Sequence, residues 1–229
     1  MASVLMLLLN MVNAQPNSVN TPINPVIAQL NSVKQLTDIN KELECYESLK
    51  KLVELYHVIG YEEKRQDFKF YPNEPLVHRS FAIVMVTVLD KLREQFDRLA
   101  HKMPENTRDS LYRKFIKKHF RGYSDSAVIS LPGYAQYKDV DNDDPDHESV
   151  IKLTNYYHIK LGDTENTFSS DMPITGRELN KIFGIYFGER GIVSRASSSN
   201  VTRANWAIYL NTLLERLYEY VKDLASNDY

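Results

Sequence analysis

Cysteine, glycine and long hydrophobic runs are scarce in this chain, and charge is missing altogether from its first thirty-three residues. The single cysteine, Cys45, excludes an internal disulfide and any multi-cysteine metal site. Eight glycines in 229 residues is about half the ordinary frequency of ~7%, which disfavours Gly-rich phosphate loops and turn-dense β folds. The apolar run at residues 4–9, broken at Asn10, is well short of the ~20 residues a transmembrane helix needs. A net charge of −2 supplies no global field to draw in nucleic acid, so such binding has to come from local patches.

What stands in the uncharged stretch is an apolar tip followed by an Asn/Pro/Ser/Thr-rich tether at residues 15–25 that cannot pack a core of its own. The first ionic side chain is Lys34. Leaving Val4, Leu5, Leu7, Leu8 and Leu9 in water forfeits about 1.5–3 kcal/mol for each large aliphatic side chain. Burial in a neighbouring subunit, burial against the chain's own body, or cleavage after Ala14 each removes that exposure. Cleavage is the weaker reading, because no Lys or Arg precedes the apolar run.

The body carries helical periodicity. Ile27 and Leu30 predict a short helix, and Ile39, Leu43, Leu49, Leu52, Val53, Tyr56 and Ile59 a long one ending at Gly60, with Cys45 on its buried face as a small core hydrophobe. Residues 61–74 read as a connection or short strand. Residues 81–89 are rich in β-branched side chains, but Leu92, Phe96 and Leu99 continue the 3–4 spacing, which predicts one long helix whose first half is buried all round. A further helix is expected at about 107–119. Its outer face places Arg113, Lys114, Lys117 and Lys118, with Arg121 just beyond, in the strongest local positive field of the chain. Phosphate contact through such a face is non-specific and falls steeply with salt; a solvated helix face and contact with a partner's acidic surface are the competing readings.

Periodicity disappears over residues 122–146. The acidic segment there fails as an EF-hand: Asp144 stands where the loop needs Gly, Pro145 follows, and Val150 replaces the bidentate Glu. A helix through Val150, Leu153 and Tyr157 is expected next. Thr175 and Glu178 have the spacing of a capping box ahead of Leu179, Ile182 and Phe183, with Gly184 as the stop. Two alternatives compete beyond it. Strands at 192–195 and 203–209 make a winged-helix-like element with Arg190, Arg195 and Arg203 near DNA. A long helix capped by Asn200 and running through Trp206, Leu210, Leu213, Leu214, Leu217, Val221 and Leu224 matches the spacing better.

The expected fold is therefore mainly α: a helical bundle-like body with an extended uncharged arm, and possible short strands in the irregular region 122–146. The expected organisation is an arm at 1–25, a helical body at 26–121, an acidic connecting region at 122–172 and a C-terminal helical segment at 173–229. No nucleophile with its base, metal set or paired carboxylates has diagnostic spacing, so a non-enzymatic role without cofactor or metal is expected. The layout points to a protein that self-associates through its arm and contacts RNA or DNA phosphates through Arg113, Lys114, Lys117, Lys118, Arg121, Arg190, Arg195 and Arg203. This resembles, in general design and without a shared motif, the subunits of viral coats and nucleocapsids, which implies an intracellular or virion-associated setting rather than secretion. The alternatives are a DNA-binding regulator using the 175–210 element and an exported protein with one glycosylation sequon, Asn200-Val201-Thr202.

Overall fold

The computed structural model describes residues 27–58, 60–62, 68–100, 137–144, 146–157, 159–161, 167–193 and 198–227. These segments are mainly helical, with five α-helices and one two-stranded ribbon. The chain divides into two compact units, Met1–Phe70 and Tyr71–Tyr229.

In the first unit, β1 (Ile27–Gln29) pairs antiparallel with β2 (Gly60–Glu62), Ala28 standing opposite Tyr61. The helix expected from Ile27 is thus a strand, and the expected helix stop Gly60 is a strand residue. Two apolar residues three apart cannot by themselves distinguish a half-turn of helix from a short strand. A tight turn at Val33–Gln35 follows β1, its start held by Ser32 and Gln35, each side chain accepting from backbone near the other. The long helix expected from Ile39 begins at Tyr46. The chain before it turns instead, because Asn40 Oδ1 accepts from Glu42 N–H at 2.9 Å and the Asn40 carbonyl accepts from Leu43 N–H at 3.3 Å, the side-chain competition that keeps Asn out of helix interiors. Helix α1 (Tyr46–Lys50) then widens into a π-turn (Lys51–Leu55), closed by Tyr56 N–H donating to the Lys51 carbonyl at 2.8 Å. Leu30, Cys45, Leu49, Leu52, Val53 and Phe70 are buried, and Cys45 is the core hydrophobe its register predicts.

The second unit holds α2 (His78–Ala100), α3 (His147–Ile151), α4 (Gly176–Tyr186) and α5 (Arg203–Asn227). The continuous helix expected over 81–99 forms, and Phe81, Ala82, Ile83, Met85, Val86, Val88, Leu89 and Leu92 along it are buried. Helix α3 also widens into a π-turn (Lys152–Tyr156), and this hook packs on α2. Gly184 does not stop α4, which runs on to Tyr186 and is capped by Phe187. Residues 203–209 are helical, so the strand pairing that a winged-helix element needs there is not made. The cap of α5 is Thr202 rather than Asn200: its Oγ1 accepts from Asn205 N–H at 3.2 Å.

Candidate functional site: a three-way helix junction

Three short extended segments meet ahead of α2, α4 and α5, and their backbones close a ring. Leu76 N–H donates to the Val201 carbonyl at 2.7 Å, Val201 N–H to Ile174 at 2.8 Å, and Ile174 N–H to Leu76 at 2.8 Å. A second ring lies one step along each segment, where the first residue of each helix donates to a different loop: His78 to Met172 at 3.0 Å, Gly176 to Ser199 at 3.0 Å and Arg203 to Glu74 at 2.9 Å. Helix N-termini carry N–H groups with no intrahelical acceptor, and this arrangement supplies each helix with carbonyls from a neighbour. Leu76, Ile174 and Val201 point into the core, and five residues further along the three segments Phe81, Leu179 and Trp206 do the same. Trp206 lies 5.2 Å from Phe81 and 6.2 Å from Phe183, ring to ring. Even the helix interiors correspond: Thr87 Oγ1 donates back to the Ile83 carbonyl in α2 at 3.0 Å, and Thr212 Oγ1 to Ile208 in α5 at 2.9 Å.

The sequence also carries a short repeat, one copy in each unit, that sequence reading by periodicity missed. Glu47-Ser48, Lys51-Leu52 and Tyr56-His57 recur at a constant offset as Glu148-Ser149, Lys152-Leu153 and Tyr157-His158. Each copy forms the same five-residue helix and five-residue π-turn. The terminal hydrogen bonds match as well: Val58 N–H donates to Leu52, and Ile159 N–H to Leu153, at 2.9 and 3.0 Å. An Asp precedes each hook. Asp38 Oδ1 accepts from Phe70 N–H at 2.8 Å, while Asp139 accepts from Phe168 N–H at 2.8 Å and Ser169 N–H at 2.6 Å. The residues that follow these phenylalanines, Tyr71 and Ser169, both take positive φ, 56° and 57°.

Three polar clusters hold the second unit. Asp90 on α2 accepts from Lys152 Nζ at 2.7 Å and from the Tyr157 hydroxyl in a short hydrogen bond, clamping the hook to the helix. The Arg93 guanidinium lies 5.2 Å from the centre of the Tyr156 ring beside this clamp. Tyr137 OH and Thr154 Oγ1 are hydrogen-bonded at 2.9 Å, and burial pushes the Tyr137 phenol up from its ordinary value. At the junction itself, fully buried His78 donates through Nδ1 to the Phe168 carbonyl at 2.8 Å, and its Nε2 lies 3.5 Å from Glu178 Oε1. The carbonyl has no proton to give, which fixes Nδ1 as the protonated nitrogen of that bond. The expected capping box is consequently half made: Thr175 Oγ1 accepts from Glu178 N–H at 3.2 Å, but the Glu178 carboxylate faces His78 instead of reaching back.

Of the residues expected to touch nucleic acid, Arg190 and Arg203 are described. Arg190 is exposed beyond α4, and its carbonyl accepts from Arg216 Nη1 at 3.3 Å. Arg203 is half-buried and opens α5 within the junction. Arg113, Lys114, Lys117, Lys118, Arg121 and Arg195, with the arm residues Val4, Leu5, Leu7, Leu8 and Leu9, lie outside the described residues. Among the described residues, no helix is long and apolar enough to cross a membrane, and no group of three or more His, Cys, Asp or Glu is placed to hold a metal ion. No protein-family model, curated protein or solved structure matches the chain.

Proposed function

We propose that this chain is a non-enzymatic structural subunit: a bundle-like helical body that self-associates through an extended arm and contacts nucleic-acid phosphates through its basic residues. The reading is supported by the work the polar side chains do at the junction. Asp139 ties two loop N–H groups, Asp90 clamps the hook and His78 joins a loop to a helix, so each acts as a strut between chain segments. A body braced in this way suits a subunit that presents an arm and a charged face to its neighbours.

Light scattering of the full chain against a truncation beginning at Asn24 tests the assembly half. The full chain is expected to form oligomers and the truncation to be monomeric; two monomers of equal stability would overturn it. Binding to random-sequence RNA and DNA across a salt series tests the other half. The phosphate-contact reading expects log K to fall linearly with log salt and little sequence preference, and a shallow slope with strong preference contradicts it.

A further inference from the structure

The His78 link is completed by a proton that can leave. Nδ1–H is committed to the Phe168 carbonyl, so whether Nε2 faces the Glu178 carboxylate as a donor or as a lone pair depends on that proton. A lone pair set against a carboxylate oxygen repels it, whereas a proton there makes a charge-assisted link. We propose that His78 is a proton-operated latch on the three-way junction. As an imidazolium it bridges the loop before α4 to α4 itself through the first residue of α2; when the Nε2 proton leaves, the Glu178 arm opens while the Phe168 arm stays.

The position gives the latch its leverage. His78 N–H and Arg79 N–H also take the carbonyls of Met172 and Ser170, so the segment from Phe168 to Glu178 is fastened to the start of α2 at several points. Other charged groups on the joined segments have their own places. Asp171 pairs with the Arg79 guanidinium, and Asp139 accepts from Phe168 and Ser169 N–H. Arg177 is exposed on α4, and Arg203 and Glu74 are joined at the α5 arm by the backbone bond from Arg203 N–H to the Glu74 carbonyl. Asp171 is a surface residue, with a side chain 82% exposed, and the Glu178 carboxylate stands 3.5 Å from Nε2. The sign follows from the link: a proton bound more tightly in the folded state stabilises at low pH, and that contribution disappears as pH rises through the folded titration of the imidazole.

The experiment uses the full chain. Imidazole nitrogen resonances recorded from pH 5 to 9, with His78 assigned by its loss in H78Q, report directly which ring nitrogens carry protons. Backbone amide exchange over residues 168–178, corrected for its intrinsic pH dependence, reports the latch. Both nitrogens are expected to be protonated near pH 6, with exchange in 168–178 rising several-fold as Nε2 deprotonates. E178Q is expected to lower the pH of His78 deprotonation and to flatten the exchange response. A neutral ring at pH 6, or deprotonation that leaves exchange unchanged, overturns the proposal. Should E178Q fail to fold, the wild-type resonances and exchange decide alone.

Discussion

Ile174 and Ile185 are the same residue type within one arm of the junction, and the structure requires opposite outcomes from truncating them. Ile174 is fully buried where the backbone ring closes, while Ile185 on α4 is 48% exposed. Ile174→Ala removes about three carbons at ~0.8 kcal/mol each, roughly 2.4 kcal/mol of transfer free energy. The cavity adds to this, because the ring of hydrogen bonds through Leu76, Ile174 and Val201 restrains collapse, so the total is expected at about 3–4 kcal/mol within the ~2–5 range for such deletions. In a protein of this size that lowers the thermal midpoint by roughly 6–16 °C, at ~2–4 °C per kcal/mol. Ile185→Ala is expected to stay within about 0.5 kcal/mol of wild type. Urea unfolding followed by the emission of Trp206, the single tryptophan, reads the junction directly, because the indole stands against Phe81 and Phe183. A loss below about 1 kcal/mol in Ile174→Ala at unchanged urea dependence, or equal losses in the two variants, would refute the claim that the junction is the core of this unit.

Two further outcomes follow from local geometry. Thr202→Ala removes the oxygen that accepts from Asn205 N–H and is expected to cost about 1 kcal/mol, with Thr202→Ser close to wild type in the same urea titration; equal losses in both would show that the methyl group matters rather than the cap. In the first unit, the Ser32 hydroxyl is the largest cause holding the Glu54 carboxyl below its ordinary value, helped by Val33 N–H. A depressed carboxyl stabilises above its unfolded value of about 4.3 and loses that contribution as pH falls through the folded one, so Ser32→Ala should flatten the acid limb of stability measured by circular dichroism. Parallel acid limbs for the two proteins would remove Glu54 from the account.

How far the sequence disclosed the fold depended on how much periodic signal each element carried. Helices α2 and α5 were legible because apolar residues repeat the 3–4 spacing over several turns, and Thr175 marked the start of α4 correctly. Elements of three to five residues were not. Ile27 and Leu30 fit a helix on paper but open and follow a strand, and the apolar positions at Ile39 and Leu43 belong to turns that Asn40 organises through its side chain. The polar junction was illegible for a different reason. His78, Asp90 and Asp139 take hydrogen-bond partners more than twenty-five residues away in sequence, and such a bond leaves no periodic trace. Glu178 shows the limit most clearly, since its spacing from Thr175 predicts a reciprocal cap that the buried imidazole of His78 displaces.

The duplicated hook was the available signal for that hidden layer, and it also shows which residues backbone geometry demands. Between the two copies, Lys and Leu recur as the first two residues of the π-turn and Tyr as its cap, whereas the helices that follow, α2 and α4, share only an apolar pattern at the corresponding core positions. The contrast has a physical origin. A core position of a helix is satisfied by any side chain of suitable volume, so Phe81 and Leu179 serve alike. A π-turn closes over five residues instead of four, and in the second copy its first residue, Lys152, and its cap, Tyr157, reach Asp90. Identity therefore concentrates where a polar atom must meet a specific partner. A search for short repeated polar patterns finds such a strut when hydrophobic periodicity, which reads volume and not partnership, passes over it.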